Sequence, residues 1–331
     1  MKGLERKALG KSGIEVTRVG LGCAPLGGMY GDIPEEQAHE VVRRALSLGI
    51  NVIDTAPLYG YGKSEIRIGR AVQGWNRKDF VLATKVGRLL VPKDEGGDTS
   101  QDANWGTASP LRSKFDFSYD AVMRSVEESL KRLQTDRIDI LHIHDPDNHY
   151  EQALRSAYPA LDKLRRQRAI RAVSAGMNQS EMLARFAREG DFDCFLLAGR
   201  YSILEQGAMD ELFPLCAQKN IGILLGGTYN SGILASDLNV GAKFNYADAP
   251  MDVLNRARGL QTVAARHRVS LKAAALQFAL AHPQVTCIIP GTRVPDRVDE
   301  NLKLLDEPIP SEFWAELKAE NLIREDAPVP E

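Results

Sequence analysis

Short apolar runs recur along the chain, at 19–22, 52–54, 81–85, 138–144, 172–175, 194–198, 221–226 and 285–290, eight in all. Most are near-continuous rather than alternating, which predicts strands covered on both faces, as in a parallel sheet. The segments between them carry apolar residues at helical spacing. After Ser118, a candidate N-cap with Asp120 in the first turn, Val122, Val126, Leu130 and Leu133 share one helix face. Arg43 to Gly49 reads as the end of a helix, with Gly49 suited to the C′ position, and Pro34 suits the first turn of one.

Eight strand–helix units predict an α/β fold, a closed (β/α)8 TIM barrel. The competing fold is an open doubly wound sheet, which carries G-x-G-x-x-G after its first strand. Here Gly20-Leu21-Gly22-Cys23-Ala24-Pro25 lacks the third glycine and ends in proline. Upstream, 6–9 and 14–16 flank Gly10-Lys11-Ser12-Gly13, the signal of an N-terminal β-hairpin, which is expected to plug the bottom of the barrel. No repeat or linker interrupts the chain, so 1–331 is read as a single barrel domain. Two connections are long, 87–117 and 230–251. Both follow strands, which puts both on the face where barrel enzymes carry their sites.

Composition narrows the function classes. With 331 residues, 44% hydrophobic and 26% charged, the chain can bury a large core, which excludes a disordered or disulfide-stapled protein. Lys and Arg number 42 against 44 Asp and Glu, so no basic excess points to nucleic acid. Cys23, Cys194, Cys216 and Cys287 form no C-x-x-C and are expected to be buried, reduced thiols. The N-terminus has no signal-peptide pattern, and the longest uncharged stretch, 273–292, is too polar to span a membrane. A cytoplasmic location and a small-molecule substrate follow as expectations. Nothing in the pattern speaks to oligomeric state.

Four polar residues stand at or just past the ends of the second, third and fourth predicted strands: Asp54 with Tyr59, Lys85 and His144. Each alone has an ordinary reading, as a cap, a packing ring, a solvent-seeking amine and a core histidine. Together they converge on one mouth of the predicted barrel. A phenol titrates near about 10, so it needs tuning to serve near neutrality. An adjacent ammonium is expected to lower that value, a carboxylate to hold the ammonium, and an imidazole to orient a carbonyl or alcohol oxygen. Such a set suits carbonyl reduction or alcohol oxidation, with the hydride carried by a cofactor. The alternative is a metal site, since His142 and His144 share one face of a strand and Asp145 and His149 follow. The fifth and sixth runs offer no matching histidine, so no metal is expected and a metal-dependent barrel hydrolase is the remote alternative.

Three segments carry a resemblance. They are Asp54-Thr55-Ala56-Pro57-Leu58-Tyr59-Gly60 with Ser64-Glu65, then Thr84-Lys85, then Leu141-His142-Ile143-His144-Asp145-Pro146. In this order they resemble the signatures of the aldo-keto reductase superfamily. The stretch Ile289-Pro290-Gly291-Thr292-Arg293, with Arg297, Glu300 and Asn301, resembles that family's cofactor-phosphate segment. The resemblance implies a barrel that binds NAD or NADP without a Rossmann domain, with Tyr59 as acid or base and Lys85, Asp54 and His144 in support. It assigns Pro290, Gly291, Thr292, Arg293, Arg297 and Asn301 to the cofactor.

The departures from the family pattern are specific. Ser174-Ala175-Gly176-Met177-Asn178 leaves only Asn178 to hold the carboxamide. Ala198 stands where a Gln is usual. Gly226, followed by Gly227, stands where a ring usually stacks on nicotinamide, and Tyr229 either stacks instead or packs the loop. Gly291 replaces a common Lys, which removes a partner for a 2′-phosphate and favours NAD. These variants are similar to the branch of L-fucose and D-threo-aldose 1-dehydrogenases, L-galactose dehydrogenases and pyridoxal 4-dehydrogenases. That branch implies oxidation of the C1 hydroxyl of a cyclic hemiacetal to a lactone. Pyridoxal oxidation and NADPH-dependent aldehyde reduction are the alternatives, and a non-catalytic nucleotide-sensing subunit a remote one. Asn104, Trp105, His149 and Asn230 are candidate substrate contacts in the long connections.

Overall fold

Strands buried on both faces need helices on one side and a filled barrel on the other, and the computed structural model has both. It describes residues 1–330 apart from 30, 101, 107, 237, 239–241 and 246. In chain order the strands are β1 (Arg6–Ala8), β2 (Glu15–Thr17), β3 (Leu21–Gly22), β4 (Val52–Asp54), β5 (Val81–Val86), β6 (Arg88–Pro92) and β7 (Leu111–Phe115). They continue as β8 (Ile140–His144), β9 (Ala172–Met177), β10 (Cys194–Ala198), β11 (Gly222–Gly226), β12 (Lys243–Phe244), β13 (Ala247–Asp248) and β14 (Val285–Ile288).

Eight of these pair in parallel in the order β14-β11-β10-β9-β8-β5-β4-β3. The ends then meet. Val19 and Gly22 bridge in parallel to Ile288 and Gly291, and the Gly20 N–H donates to the Ile288 carbonyl at 2.8 Å. The sheet is therefore a ring without free edges, and each apolar run of the sequence supplies one of its strands.

The antiparallel pair β1–β2 closes the bottom. Leu9, Ile14 and Val16 are buried against the inward side chains Val52, Val81, Ala83, Ile140, Ala172 and Leu224. The hairpin tip lies backbone on backbone. A Cβ on Gly10, whose φ is +53°, would stand 2.4 Å from the Gly222 nitrogen. The expected plug is present.

Helices cover the outside. Over Tyr119–Leu133 the Ser118 hydroxyl caps the first turn, and Val122, Val126 and Leu133 are buried. Over Glu35–Ser47, Pro34 is the N-cap itself rather than a first-turn residue, because its ψ of 146° is extended. Gly49 follows that helix at φ +93°. All four cysteines are buried free thiols. Among the described residues, no helix is long and apolar enough to cross a membrane.

The long connections hold more structure than their turn-rich composition suggests. Residues 87–117 contain the antiparallel pair β6–β7. Its two faces differ. Leu89 and Val91 pack with Ala121 of the neighbouring helix. Leu90 and Leu111 join Leu58, Tyr61, Trp105 and Tyr59 above the barrel. With a period of two, Arg88 shares the face of Leu90. The second connection carries a 3-10 stretch, Asn230–Ala235, and the pair β12–β13.

Candidate active site

Inward positions alternate along each strand, so the topmost inward layer sits at the C-terminal ends. On one side, that layer and the level below it carry Asp54 from β4, Lys85 from β5, and His142 and His144 from β8. On the other side are residues with almost no side chain. A Cβ on Gly176 of β9 would lie 3.5 Å from the His142 Cβ, and one on Gly226 of β11 would lie 3.7 Å from the Ala198 Cβ of β10. The mouth is thus half polar wall and half bare shelf.

The wall is tightly bonded. The Lys85 Nζ donates to Asp54 Oδ1 at 2.9 Å, to Asp54 Oδ2 at 2.7 Å and to the Thr55 carbonyl at 2.7 Å. His142 Nε2 lies 3.3 Å from Asp54 Oδ1, and its Nδ1 lies 2.7 Å from the Ser174 hydroxyl. Tyr59 reaches over this set from a run of turns after β4. Its ring centroid is 4.9 Å from the Lys85 Nζ, 6.0 Å from the His144 ring and 5.7 Å from the Trp105 ring. Among the described residues the Tyr59 side chain meets its neighbours only through that ring. A close backbone crossing sets its position: Gly60 has φ +63°, and a Cβ there would stand 2.1 Å from the Gly27 carbonyl oxygen. Gly60→Ala is therefore expected to destabilise the protein by about 2 to 3 kcal/mol through strain and a forced backbone shift. Urea unfolding checks this.

Burial pushes the Asp54 carboxyl up, but the Lys85 ammonium and the His142 ring outweigh it and hold the group below the usual range. Burial, ahead of the cations of Arg88 and Lys85, keeps the His144 ring neutral. For Tyr59 the sign differs from the sequence expectation. Burial raises the phenol well above 10, and the charges of Asp54 and Asp145 add to that. The ammonium is close to the ring, yet it is spent on Asp54, so the pair beside the phenol is nearly neutral as a whole.

The segment after β14 closes the shelf. Thr292 Oγ1 accepts from the Val294 N–H at 3.0 Å, Arg293 donates to the Gly31 carbonyl at 3.2 Å, and Arg297 is exposed. Tyr229 donates to Asn301 Oδ1 at 3.0 Å and leans on the core, so it packs the loop. Asn178 stands partly exposed just past β9, and Gly227 turns the chain at φ +67° after Gly226. Pro290 and Gly291 lie against β3, with a Gly291 Cβ position 3.1 Å from the Gly22 carbonyl. Thr228 Oγ1 and Asn230 Oδ1 are buried without a partner among the described residues.

Of the loop candidates, Trp105 stands beside Tyr59, whereas His149 is stacked on Phe115 at 5.2 Å and is a packing residue. Asn230 donates to the Gly199 carbonyl at 3.3 Å, and Asn104 precedes Trp105, partly exposed. Among the described residues no group of His, Cys, Asp or Glu is placed to hold a metal ion.

The profile of the Aldo/keto reductase family matches residues 18–321. The chain belongs to this family. It is 36% identical to the pyridoxal 4-dehydrogenase of Microbacterium luteolum, with 98% of this chain and 99% of that protein covered. It is 37% identical to the D-threo-aldose 1-dehydrogenase of a Pseudomonas species, with 96% and 97% covered. Among solved structures, the holo form of the aldo-keto reductase AKR11C1 from Bacillus halodurans superposes with a TM-score of 0.76, at 25% identity and with 99% and 98% covered.

In this aldo-keto reductase the sequence motifs bring Asp54, Tyr59, Lys85 and His144 to one mouth, as their spacing predicts. Sequence reading gives Ser174 and Arg88 no role in the site and weighs His142 only as a metal ligand. Ser174 and His142 hold each other behind Asp54. Arg88 donates to Asp145 Oδ2 at 3.0 Å. The only sequence signal for Arg88 is a charged side chain opening the short apolar run 89–91.

Proposed function

We propose that this aldo-keto reductase is an NAD(P)-dependent dehydrogenase of aldoses of the L-fucose or D-threo type, oxidising the C1 hydroxyl of the cyclic hemiacetal to a lactone. The observation that carries this reading is the Tyr59 phenol, its ring set between His144, Trp105 and the Lys85–Asp54 pair. Tyr59 takes the proton of the anomeric hydroxyl, His144 orients that oxygen, and the C1–H electron pair leaves as hydride while the C1–O bond becomes a carbonyl. A bound oxidised nicotinamide nucleotide supplies the hydride acceptor.

The residues present fit such a cofactor. Gly176, Ala198 and Gly226 leave room for a flat ring on the shelf, the Thr228 and Asn230 oxygens have no partner among the described residues, and the partly exposed Asn178 would meet a carboxamide. Pro290 to Arg293, Arg297 and Asn301 line the path for the phosphates and adenine. Gly291 offers no cation for a 2′-phosphate, which favours NAD. Buried reduced thiols accord with a cytoplasmic enzyme.

The likeness to a pyridoxal 4-dehydrogenase supports a second reading, oxidation of pyridoxal through its own cyclic hemiacetal. A panel of L-fucose, D-arabinose, L-galactose, pyridoxal and simple aldehydes, each with NAD and NADP, separates the two by cofactor absorbance. The expected result is fastest turnover of a sugar with NAD. Pyridoxal outpacing every sugar moves the assignment to the second reading, and no turnover of anything overturns both.

A further inference from the structure

We infer that Asp145 is a specificity-determining residue that accepts a hydrogen bond from a substrate hydroxyl near the reacting carbon, and that Arg88 is the positioning residue that aims it. This rests on the aldose reading and names what that site selects.

Asp145 directly follows His144 at the end of β8, and its Oδ2 lies 3.5 Å from His144 Nε2. Its side chain is 26% exposed, against 7% for His144 and 3% for Asp54. Of the two carboxylates beside the His144 and Lys85 side chains it is thus the one that solvent reaches, and its neighbours His144 and Arg88 both belong to the mouth. Arg88 holds it with Nη2 at 3.0 Å and is itself 7% exposed. The guanidinium is fixed in turn, 4.2 Å over the Phe115 ring and 3.6 Å from Asp98. Arg88 comes from the mouth-facing side of β6, beside Leu90. Asp145 has φ +44°, and its N–H donates to the Gly176 carbonyl at 3.0 Å. The turn therefore ties the carboxylate to the shelf as well as to His144.

An Arg–Asp bond that merely pinned the hairpin to the barrel would need no open carboxylate. The exposure and the short reach to His144 distinguish this one. Burial raises the Asp145 carboxyl, and the Arg88 cation counters it. A carboxylate only accepts, so it selects O–H donors and repels anions. Neutral polyols and hydroxyaldehydes fit, and phosphorylated or carboxylated aldehydes do not. Arg88 is too enclosed to reverse that choice.

The test is a ratio. Reduction of glyceraldehyde and of propanal is measured in the wild type, Asp145→Asn and Asp145→Ala, beside oxidation of the best aldose. For loss of a charge-assisted hydrogen bond, kcat/KM for the hydroxylated substrates should fall roughly ten- to a hundredfold more than for propanal. Arg88→Met should move the ratio the same way by less, and Arg88→Lys should recover part of it, which keeps the test decisive if the Asp145 variants do not fold. The aldose-induced rise in Tm should shrink in parallel. Equal losses on both aldehydes, no loss on either, or a wild type that prefers propanal would each overturn the assignment. A wild type that oxidises no aldose defeats the aldose reading alone, and the glyceraldehyde-to-propanal ratio still decides the role of Asp145.

Discussion

Tyr59→Phe should lower kcat by roughly a hundred- to ten-thousandfold, the span a positioned acid–base group contributes. The substitution keeps the ring and so keeps the contacts to Trp105 and His144. Only the hydroxyl is removed, and nucleotide affinity, read by fluorescence titration, should barely change. The raised phenol also sets the pH dependence. As an acid it holds its proton throughout the neutral range, so reduction is ready there. As a base it must first lose that proton, so oxidation should quicken as pH rises, with no plateau below about 10. Unchanged kcat in the variant, or an oxidation rate flat between neutrality and that value, removes Tyr59 from the proton step.

Lys85→Met strikes the same wall from behind. It leaves the Asp54 carboxylate, which is 2% exposed, without its cation. Breaking a buried pair in this way costs about 3 to 5 kcal/mol. The sign with pH is specific. In the wild type the Asp54 carboxyl is held low, so its contribution is present above the unfolded value of about 3.9 and is lost as pH falls through the folded one. In the variant burial acts unopposed by the ammonium, the folded value rises above the unfolded one, and stability is lost as pH increases. The gap between the two proteins should therefore narrow on acidification, which urea unfolding at a series of pH values measures. A gap that is the same near pH 4 and pH 7 contradicts this account. The unscreened Asp54 charge also pushes the phenol higher, so the oxidation limb should move to higher pH.

Much of this architecture is readable in the chain because parallel barrel strands are buried on both faces. Val81–Val86 and Cys194–Ala198 are apolar or small almost throughout, and nothing polar interrupts them until the mouth. Asp54, Lys85 and His144 stand out for the same reason, as charged or polar groups that end such runs. The pair β6–β7 is hidden because Gly87, Pro92, Gly96 and Gly97 give its surroundings a turn-like composition. Its partner strand also lies some twenty residues away, beyond any local pattern. The grip of Arg88 on Asp145 depends on that pairing and is hidden with it. The direction of the Tyr59 shift is hidden for a different reason. Spacing places an ammonium beside a phenol, but the outcome turns on how deeply both are buried and on which anion claims the cation first.

The ring joins its first strand to its last, and the hairpin tip at Gly10 rests on Gly222. A growing chain therefore delivers its lid first and the seat for that lid late. Until residues 285–291 exist, the sheet carries two raw borders, each able to pair with a neighbouring chain. One event then seals both borders, and the long separation of the joined segments makes it a slow one. The same closure that builds the floor of the barrel thus leaves the unfinished chain with two borders open to pairing.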